Sequence, residues 1–140
     1  MGSGLRYDIW PKMKPRFGDM WMFEIYGSTE GNLQFANILN DESCICRLTP
    51  FMKTVLSAEL VKYDPIEERI ITNDKGFAIK ADWGETGLLI GKIRSDLPFN
   101  GYYNDKKKSE EKLLRNVFKK GDEFFNTGDL LKRDADYKLK

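Results

Sequence analysis

The chain has 140 residues, and its 23 lysines and arginines against 22 aspartates and glutamates give a formal net charge of +1. This length suffices for one domain with a hydrophobic core, and the balanced charge gives no case for a nucleic-acid partner. There is no apolar run long enough to cross a bilayer, and the first residues lack a signal-peptide pattern.

The residues available for chemistry are restricted. The sequence contains no histidine, which excludes a Ser–His or Cys–His dyad and any histidine-ligated metal within this chain. Cys44 and Cys46 are too close in sequence for an ordinary disulfide and too few for a zinc site. We expect reduced thiols and a reducing compartment.

The N-terminal third predicts one helix, one strand and one polar loop. Apolar residues over 4–17 have nearly helical spacing, but Pro11 and Pro15 predict a short or broken helix. Residues 20–25 are apolar almost without a break, as in a strand covered on both faces. The loop from Tyr26 to Asn32 then contains two glycines, with the hydroxyl of Thr29 beside the carboxylate of Glu30.

That loop has two open interpretations. Gly27 and Gly31 would let the backbone approach a ligand closely, and Thr29 beside Glu30 would suit a metal bound through substrate phosphates. Alternatively, it is a solvated loop that closes a core strand.

The rest of the chain predicts short strands and one helix. We expect irregular structure over 33–50, strands over 56–63, 69–72, 77–81 and 88–93, and turns between these strands. The apolar stripe of Leu113, Leu114, Val117 and Phe118 predicts a helix over 106–119, capped by Gly121. Thr127-Gly128-Asp129 would end a strand, and residues 133–140 would fray.

Two motifs in this order resemble one family. Tyr26-Gly27-Ser28-Thr29-Glu30-Gly31-Asn32, followed about a hundred residues later by Asn126-Thr127-Gly128-Asp129, is similar to the adenylate-forming acyl-CoA synthetases. The segment Val117-Phe118-Lys119-Lys120-Gly121-Asp122 is typical of the long-chain fatty acid transport proteins, the very-long-chain acyl-CoA synthetases. The resemblance extends over nearly the whole chain.

The resemblance implies a nucleotide site. Tyr26 would stack on adenine, Gly2, Ser3 and Gly4 would line the opposite side of the base, and Gly27 and Ser28 would contribute backbone beside the nucleotide. Thr29 would bind a phosphate oxygen, Glu30 would hold Mg²⁺, and Asp129 would bind the ribose hydroxyls. Thr29 and Glu30 are the implied catalytic residues. Without the motifs, Tyr26 would be a core aromatic, Glu30 a surface carboxylate and Asp129 a turn residue.

The resemblance also implies the architecture. We expect an α+β chain, namely a strand from a truncated α/β sheet, then a small antiparallel β-barrel-like subdomain with one helix. Residues 1–140 would form a partial AMP-binding domain, with the adenine and Mg²⁺ loop in 1–41 and the ribose-binding motif in 42–140. The strand over 20–25 would present an exposed apolar edge, because its sheet neighbours are not among these residues.

The implied function is that of a fatty acid–CoA ligase, with ATP, CoA and a long-chain or very-long-chain fatty acid as substrates. No phosphate-binding loop and no lid lysine match within these residues, so we expect the chain alone to be inactive. The alternative is a non-catalytic interaction or lipid-binding module, associating with an intact paralogue. The family implies location at the endoplasmic reticulum, plasma membrane or peroxisome, through membrane contacts made by other regions.

Overall fold

The computed structural model describes residues 8–29, 31–42 and 44–140. Three short helices and ten strands occur in this part of the chain. Their bounds, in chain order, are α1 Trp10–Phe17, β1 Glu24–Gly27, β2 Gln34–Asn37, β3 Cys46–Arg47, α2 Pro50–Val55, β4 Ala58–Val61, β5 Tyr63–Asp64, β6 Arg69–Ile70, β7 Thr86–Lys92, α3 Lys106–Glu111, β8 Leu113–Arg115, β9 Glu123–Lys132 and β10 Lys138–Leu139.

A four-stranded antiparallel sheet organises the molecule, with strand order β4-β7-β9-β8. Three two-stranded antiparallel ladders surround it, formed by β1 with β2, β3 with β10, and β5 with β6. The predicted α+β class is confirmed. The β-rich part consists of open sheets, and the described strands do not close into a barrel.

Alternating side chains on the central sheet fill two hydrophobic clusters. Leu60 and Leu89 belong to the first cluster, whereas Val61, Leu88 and Ile90 belong to the second, as a period of two requires. The first cluster also takes in Leu33, Phe35, Leu48 and Leu139 from the surrounding ladders. The sheet is therefore covered on both faces.

The hairpin formed by β1 and β2 is fixed to the end of β7. The Asn32 side-chain amide donates hydrogen bonds to the carbonyl oxygens of Lys92, at 2.8 Å, and Leu97, at 3.3 Å. Leu33 packs so closely on Gly91 that a Cβ there would lie 2.5 Å from the Leu33 Cγ. These contacts fix the loop after β1 relative to the central sheet.

The strand predicted over 20–25 is shorter and more exposed than expected. It begins at Glu24, and Trp21, Phe23 and Ile25 expose 70%, 54% and 70% of their surface. The expectation of cover on both faces is therefore wrong for this chain, since β2 pairs along β1 but leaves these side chains in solvent. The expected exposed apolar edge is present.

The helix predicted over 106–119 is wrong beyond its first turns. α3 ends at Glu111, and the chain then forms β8 and a tight loop. The Asp122 carboxylate accepts hydrogen bonds from the backbone N–H groups of Val117, Phe118 and Lys119. This side chain offers the backbone an alternative to helical hydrogen bonds. Gly121, the predicted helix cap, instead has φ +84° within that loop.

Two further regions are more ordered than predicted. Residues 33–50 contain β2, β3 and the start of α2, where Thr49 accepts a hydrogen bond from the Met52 N–H as the N-cap residue. The C-terminal residues do not fray. β10 pairs with β3, and Leu139 is completely buried. Within the described residues, no helix has the length and apolarity needed to cross a membrane.

Candidate functional site

A bulge in β9 shapes one side of the candidate site. Leu88 pairs with Leu130 and Ile90 pairs with Asn126, so the three residues 127–129 lie opposite Leu89 alone. Bulges of this kind change the direction of side chains and are common beside active sites. Gly128 at the centre has φ +83°, a conformation that strains other residues. The bulge presents Asp129 at the surface.

Local hydrogen bonds hold this bulge. The Thr127 hydroxyl donates to the Leu89 carbonyl oxygen at 2.8 Å and accepts from the Asp129 N–H at 3.1 Å. The Asn126 side-chain oxygen accepts from the Gly128 N–H at 3.0 Å. These side chains replace ladder partners that the bulge removes, so the Thr-Gly-Asp segment has a defined conformation.

Tyr26, at the end of β1, reaches this bulge from the other side. Its hydroxyl donates a hydrogen bond to the Oδ2 atom of Asp129, although the two residues lie 103 positions apart. Its ring stacks on Phe35, with 5.5 Å between ring centroids. The hairpin and the bulge thus form one polar site.

The electrostatics of this pair keep the tyrosine protonated. Burial raises the pKa of Tyr26 above its ordinary value of 10.0, and the hydrogen bond to Asp129 and the charge of that carboxylate raise it further. The Thr127 hydroxyl has a smaller opposite effect on this pKa. Tyr26 is therefore a neutral hydrogen-bond donor over the physiological range.

The loop after Tyr26 packs tightly on the sheet. Ser28 accepts a hydrogen bond from the Gly31 N–H at 3.0 Å. A Cβ at Gly31 would lie 2.6 Å from the Phe125 ring, which itself stacks on Phe99 with 4.9 Å between centroids. The glycine that ends the motif is required by this close approach, and Thr29 is left exposed to solvent.

The predicted site residues divide into two groups. The structure brings together Tyr26, Gly27 and Asp129, with Ser28 and Thr29 on the adjoining loop. Gly2, Ser3, Gly4 and Glu30 lie outside the described residues. In the described part of the chain, no three acidic or cysteine side chains cluster as a metal site.

Sequence reasoning gave no role to two residues beside the site. Thr127 was predicted only as part of a strand end, yet its hydroxyl holds the bulge. Lys112 brings an amino group to within 2.9 Å of where a Cβ on Gly128 would lie. The Thr-Gly-Asp motif was a usable signal for Thr127, whereas nothing in the sequence placed Lys112 there.

Two solved structures share the fold of this chain. The N-terminal subdomain of Klebsiella oxytoca NpsA matches 99% of this chain with a TM-score of 0.56 and 17% identity, and the chain covers 31% of it. The Vibrio cholerae adenylation domain AlmE, solved in complex with glycyl-adenosine-5′-phosphate, matches 99% with a TM-score of 0.55 and 14% identity, and 24% of it is covered. The fold is that of part of an adenylate-forming domain.

Sequence comparison then gives named relatives. Long-chain fatty acid transport protein 2 of Rattus norvegicus is 44% identical over 97% of the chain. A medium/long-chain-fatty-acid–CoA ligase of Mycobacterium tuberculosis is 36% identical over 93%. The chain is thus similar over nearly its whole length to long-chain fatty acid transport proteins and to a fatty-acid–CoA ligase, and it spans about a fifth of these relatives, 22% and 21% of their lengths. No family model matches the chain.

Proposed function

We propose that this chain contributes the adenosine half of the ATP site in a long-chain fatty acid–CoA ligase. The observation that carries the proposal is the contact between Tyr26 and Asp129, which joins the two family motifs at one surface site. The similarity to a named fatty-acid–CoA ligase and to an adenylation domain supports the same reaction class.

Each residue has a chemical task in this proposal. The Tyr26 ring, already stacked on Phe35, would present its free side to the adenine base. Asp129 is exposed, and none of the described residues donates to its Oδ1 atom, so ribose hydroxyls could bind there. Gly2, Ser3 and Gly4 would lie along the opposite side of the base, and Gly27 and Ser28 would border the nucleotide.

The reaction needs no nucleophile from the protein. The fatty acid carboxylate would attack the α-phosphate of ATP, releasing pyrophosphate and forming an acyl adenylate. The thiol of CoA would then attack the acyl carbonyl and release AMP. Exposed Thr29 would donate a hydrogen bond to a phosphate oxygen. Mg²⁺, accompanying ATP and bound by Glu30, would neutralise phosphate charge.

The proposed arrangement divides the site between two parts of one partial AMP-binding domain. Residues 1–41 would supply the adenine and Mg²⁺ loop, and residues 42–140 would supply the ribose-binding Asp129. Because the chain spans 22% of its rat relative, we expect these 140 residues alone to bind nucleotide without catalysing acyl-CoA formation. Complete proteins would act at the endoplasmic reticulum, plasma membrane or peroxisome.

Calorimetric titration of the purified chain with ATP and Mg²⁺ tests the proposal. We expect weak saturable binding that Asp129→Ala and Glu30→Ala both weaken markedly, with circular dichroism showing that each variant is folded. Thr72→Ala, at an exposed position away from the site, is the matched control and should bind normally. A folded chain that does not bind ATP would contradict the proposal.

One observation favours a second candidate function, a non-catalytic interaction module. Trp21, Phe23 and Ile25 form an exposed apolar surface along the β1 edge, and such surfaces mark contacts with other polypeptides or lipids. An intact paralogue could cover this surface. Co-purification of the chain with full-length family members, lost on substitution of Ile25 by threonine, would support this role over nucleotide binding.

A further inference from the structure

A concavity whose lining includes neither Tyr26 nor Asp129 lies where the second hydrophobic cluster ends. It has a volume of about 480 Å³, with the aromatic rings of Phe118 and Phe124 and the amino-bearing side chains of Lys53, Lys80 and Lys92 in its lining. The hydroxyl-bearing residues Thr54 and Ser57 complete this side. We refer to it as the lysine concavity.

Strand register explains why these residues share one side of the sheet. Glu59 pairs with Ile90 on adjacent strands, and Lys92 pairs with Phe124. Ile90 and Phe124 belong to the second hydrophobic cluster, so the cluster ends in charged rather than apolar side chains. Charged side chains next to aromatic rings can bind the polar and the apolar part of one amphipathic ligand.

The charges of the lysine concavity do not balance. Glu59 is 8% exposed and accepts ion pairs from Lys53 at 2.5 Å and Lys80 at 2.9 Å. Lys80 also lies over the Phe118 ring, 5.2 Å from its centroid. Among the described residues, no carboxylate pairs with Lys92. Three ammonium groups against one carboxylate leave a surplus of about two positive charges in a concave site.

We propose that the lysine concavity binds a phosphate monoester, with its phosphate held by Lys80 and Lys92 and its organic part on Phe118 and Phe124. A phosphate monoester carries a charge of about −1.5 to −2 at neutral pH, which matches the surplus. The Thr54 and Ser57 hydroxyls already donate to the carbonyl oxygens of Pro50 and Thr54, so the lysines supply the donors for the phosphate. This site is separate from the proposed adenosine site and does not depend on it.

Two sources could supply such a phosphate, a soluble metabolite or a lipid headgroup. Phe51, Met52 and Val55 on the adjoining helix α2 expose 74%, 39% and 48% of their surface, which gives the lipid source a physical basis. The experiment therefore uses phenyl phosphate as the soluble probe. Its second arm uses vesicles of phosphatidylcholine with and without phosphatidic acid.

Titration with phenyl phosphate, followed by backbone amide NMR shifts, should give saturable changes at Ser57, Glu59 and Lys92 and none at Asp129. Lys92→Gln should weaken binding about tenfold or more, since charge-assisted hydrogen bonds contribute on that scale. Glu59→Gln should strengthen it, because the substitution removes the competing carboxylate. Lys75→Gln, in an exposed turn, is the control and should change little.

The outcomes separate the alternatives. Binding to phosphatidic acid vesicles well beyond phenyl phosphate, lost in Phe51→Ser, would identify the lipid source. Saturable binding of phenyl phosphate, with no more binding to phosphatidic acid vesicles than to phosphatidylcholine vesicles, would identify the soluble source. Absence of saturable shifts in both the folded chain and folded Glu59→Gln would overturn the proposal, as would equal weakening in Lys92→Gln and Lys75→Gln. If Lys92→Gln does not fold, Lys80→Gln makes the same test.

Discussion

The Thr127 hydroxyl donates a 2.8 Å hydrogen bond to the carbonyl oxygen of Leu89, whose side chain is completely buried in the first hydrophobic cluster. This bond replaces the ladder partner that the bulge removes from β7. It also leaves the same hydroxyl oxygen free to accept from the Asp129 N–H. The position of Asp129 therefore depends on one side chain in the centre of the sheet.

Thr127→Val should destabilise the chain by about 1–3 kcal/mol, because it leaves a backbone carbonyl without its partner. Urea denaturation followed by circular dichroism measures this loss. Thr127→Ser keeps the hydroxyl and should lose much less stability. Equal losses in the two variants would show that the methyl group, not the hydroxyl, stabilises the bulge.

Tyr26 should make the stability fall at alkaline pH. Its pKa is raised in the folded chain, so its contribution is complete below the ordinary value of 10.0 and is lost as the pH rises above it. The free energy of unfolding should decline above pH 10 in the parent chain and decline less in Tyr26→Phe. Phenolate absorbance of the two proteins checks that Tyr26 is the group concerned. An equal decline of the free energy of unfolding in the parent chain and in Tyr26→Phe would contradict this assignment.

Asp41 should make the stability fall in acid. Hydrogen bonds from Arg47, at 2.6 and 3.0 Å, together with Lys138, hold the pKa of Asp41 at about 2, below its ordinary 3.8. Its contribution is present above pH 3.8 and is lost as the pH falls through 2. The free energy of unfolding should depend less on pH in the acid range in Asp41→Asn and in Arg47→Gln. A steep decline retained in both would count against this ion pair.

The cysteines should be unreactive in the folded chain. Both are free and buried, and burial raises the pKa of Cys46 to about 12 and raises that of Cys44. A thiol reagent at neutral pH should label them only after denaturant is added, because the thiolate is the reacting form. Rapid labelling of the native chain would show that the β3 region opens readily.

The exposed apolar edge should cause self-association. Ile25 is 70% exposed at β1, so Ile25→Thr should leave the fold intact and reduce association measured by sedimentation velocity. Ile66 is 88% exposed in an isolated turn and provides a matched control. If Ile66→Thr reduces association equally, general surface hydrophobicity rather than the β1 edge is responsible.

The motifs selected two residues that lie in contact, whereas hydrophobic periodicity was wrong for part of the fold. The Tyr26 and Asp129 motifs identified two residues that meet, because their spacing belongs to a family pattern. Hydrophobic spacing failed over 113–118, where the same apolar residues serve β8 and a loop held by Asp122. That loop depends on a side-chain-to-backbone contact that spacing does not encode.

The C-terminal segment shows a second limit of prediction from sequence. The polar composition of residues 133–140 predicted a frayed C-terminus. Leu139 is instead buried against elements from the first half of the chain. The pairing of β10 with β3 spans about ninety residues and depends on tertiary contacts. Local composition does not reveal such a partner. The strand predicted over 88–93 corresponds to β7, whereas the one predicted over 77–81 is wrong, since those residues form only isolated bridges.

The central claim, that Asp129 binds the ribose of an adenine nucleotide, is tested most directly by comparing AMP with 2′,3′-dideoxy-AMP by calorimetry. The parent chain should bind AMP more tightly, by about tenfold or more, because a carboxylate left without the hydroxyls loses charge-assisted hydrogen bonds. Asp129→Ala should bind the two nucleotides equally. Equal affinity for both nucleotides in the parent chain would contradict the account.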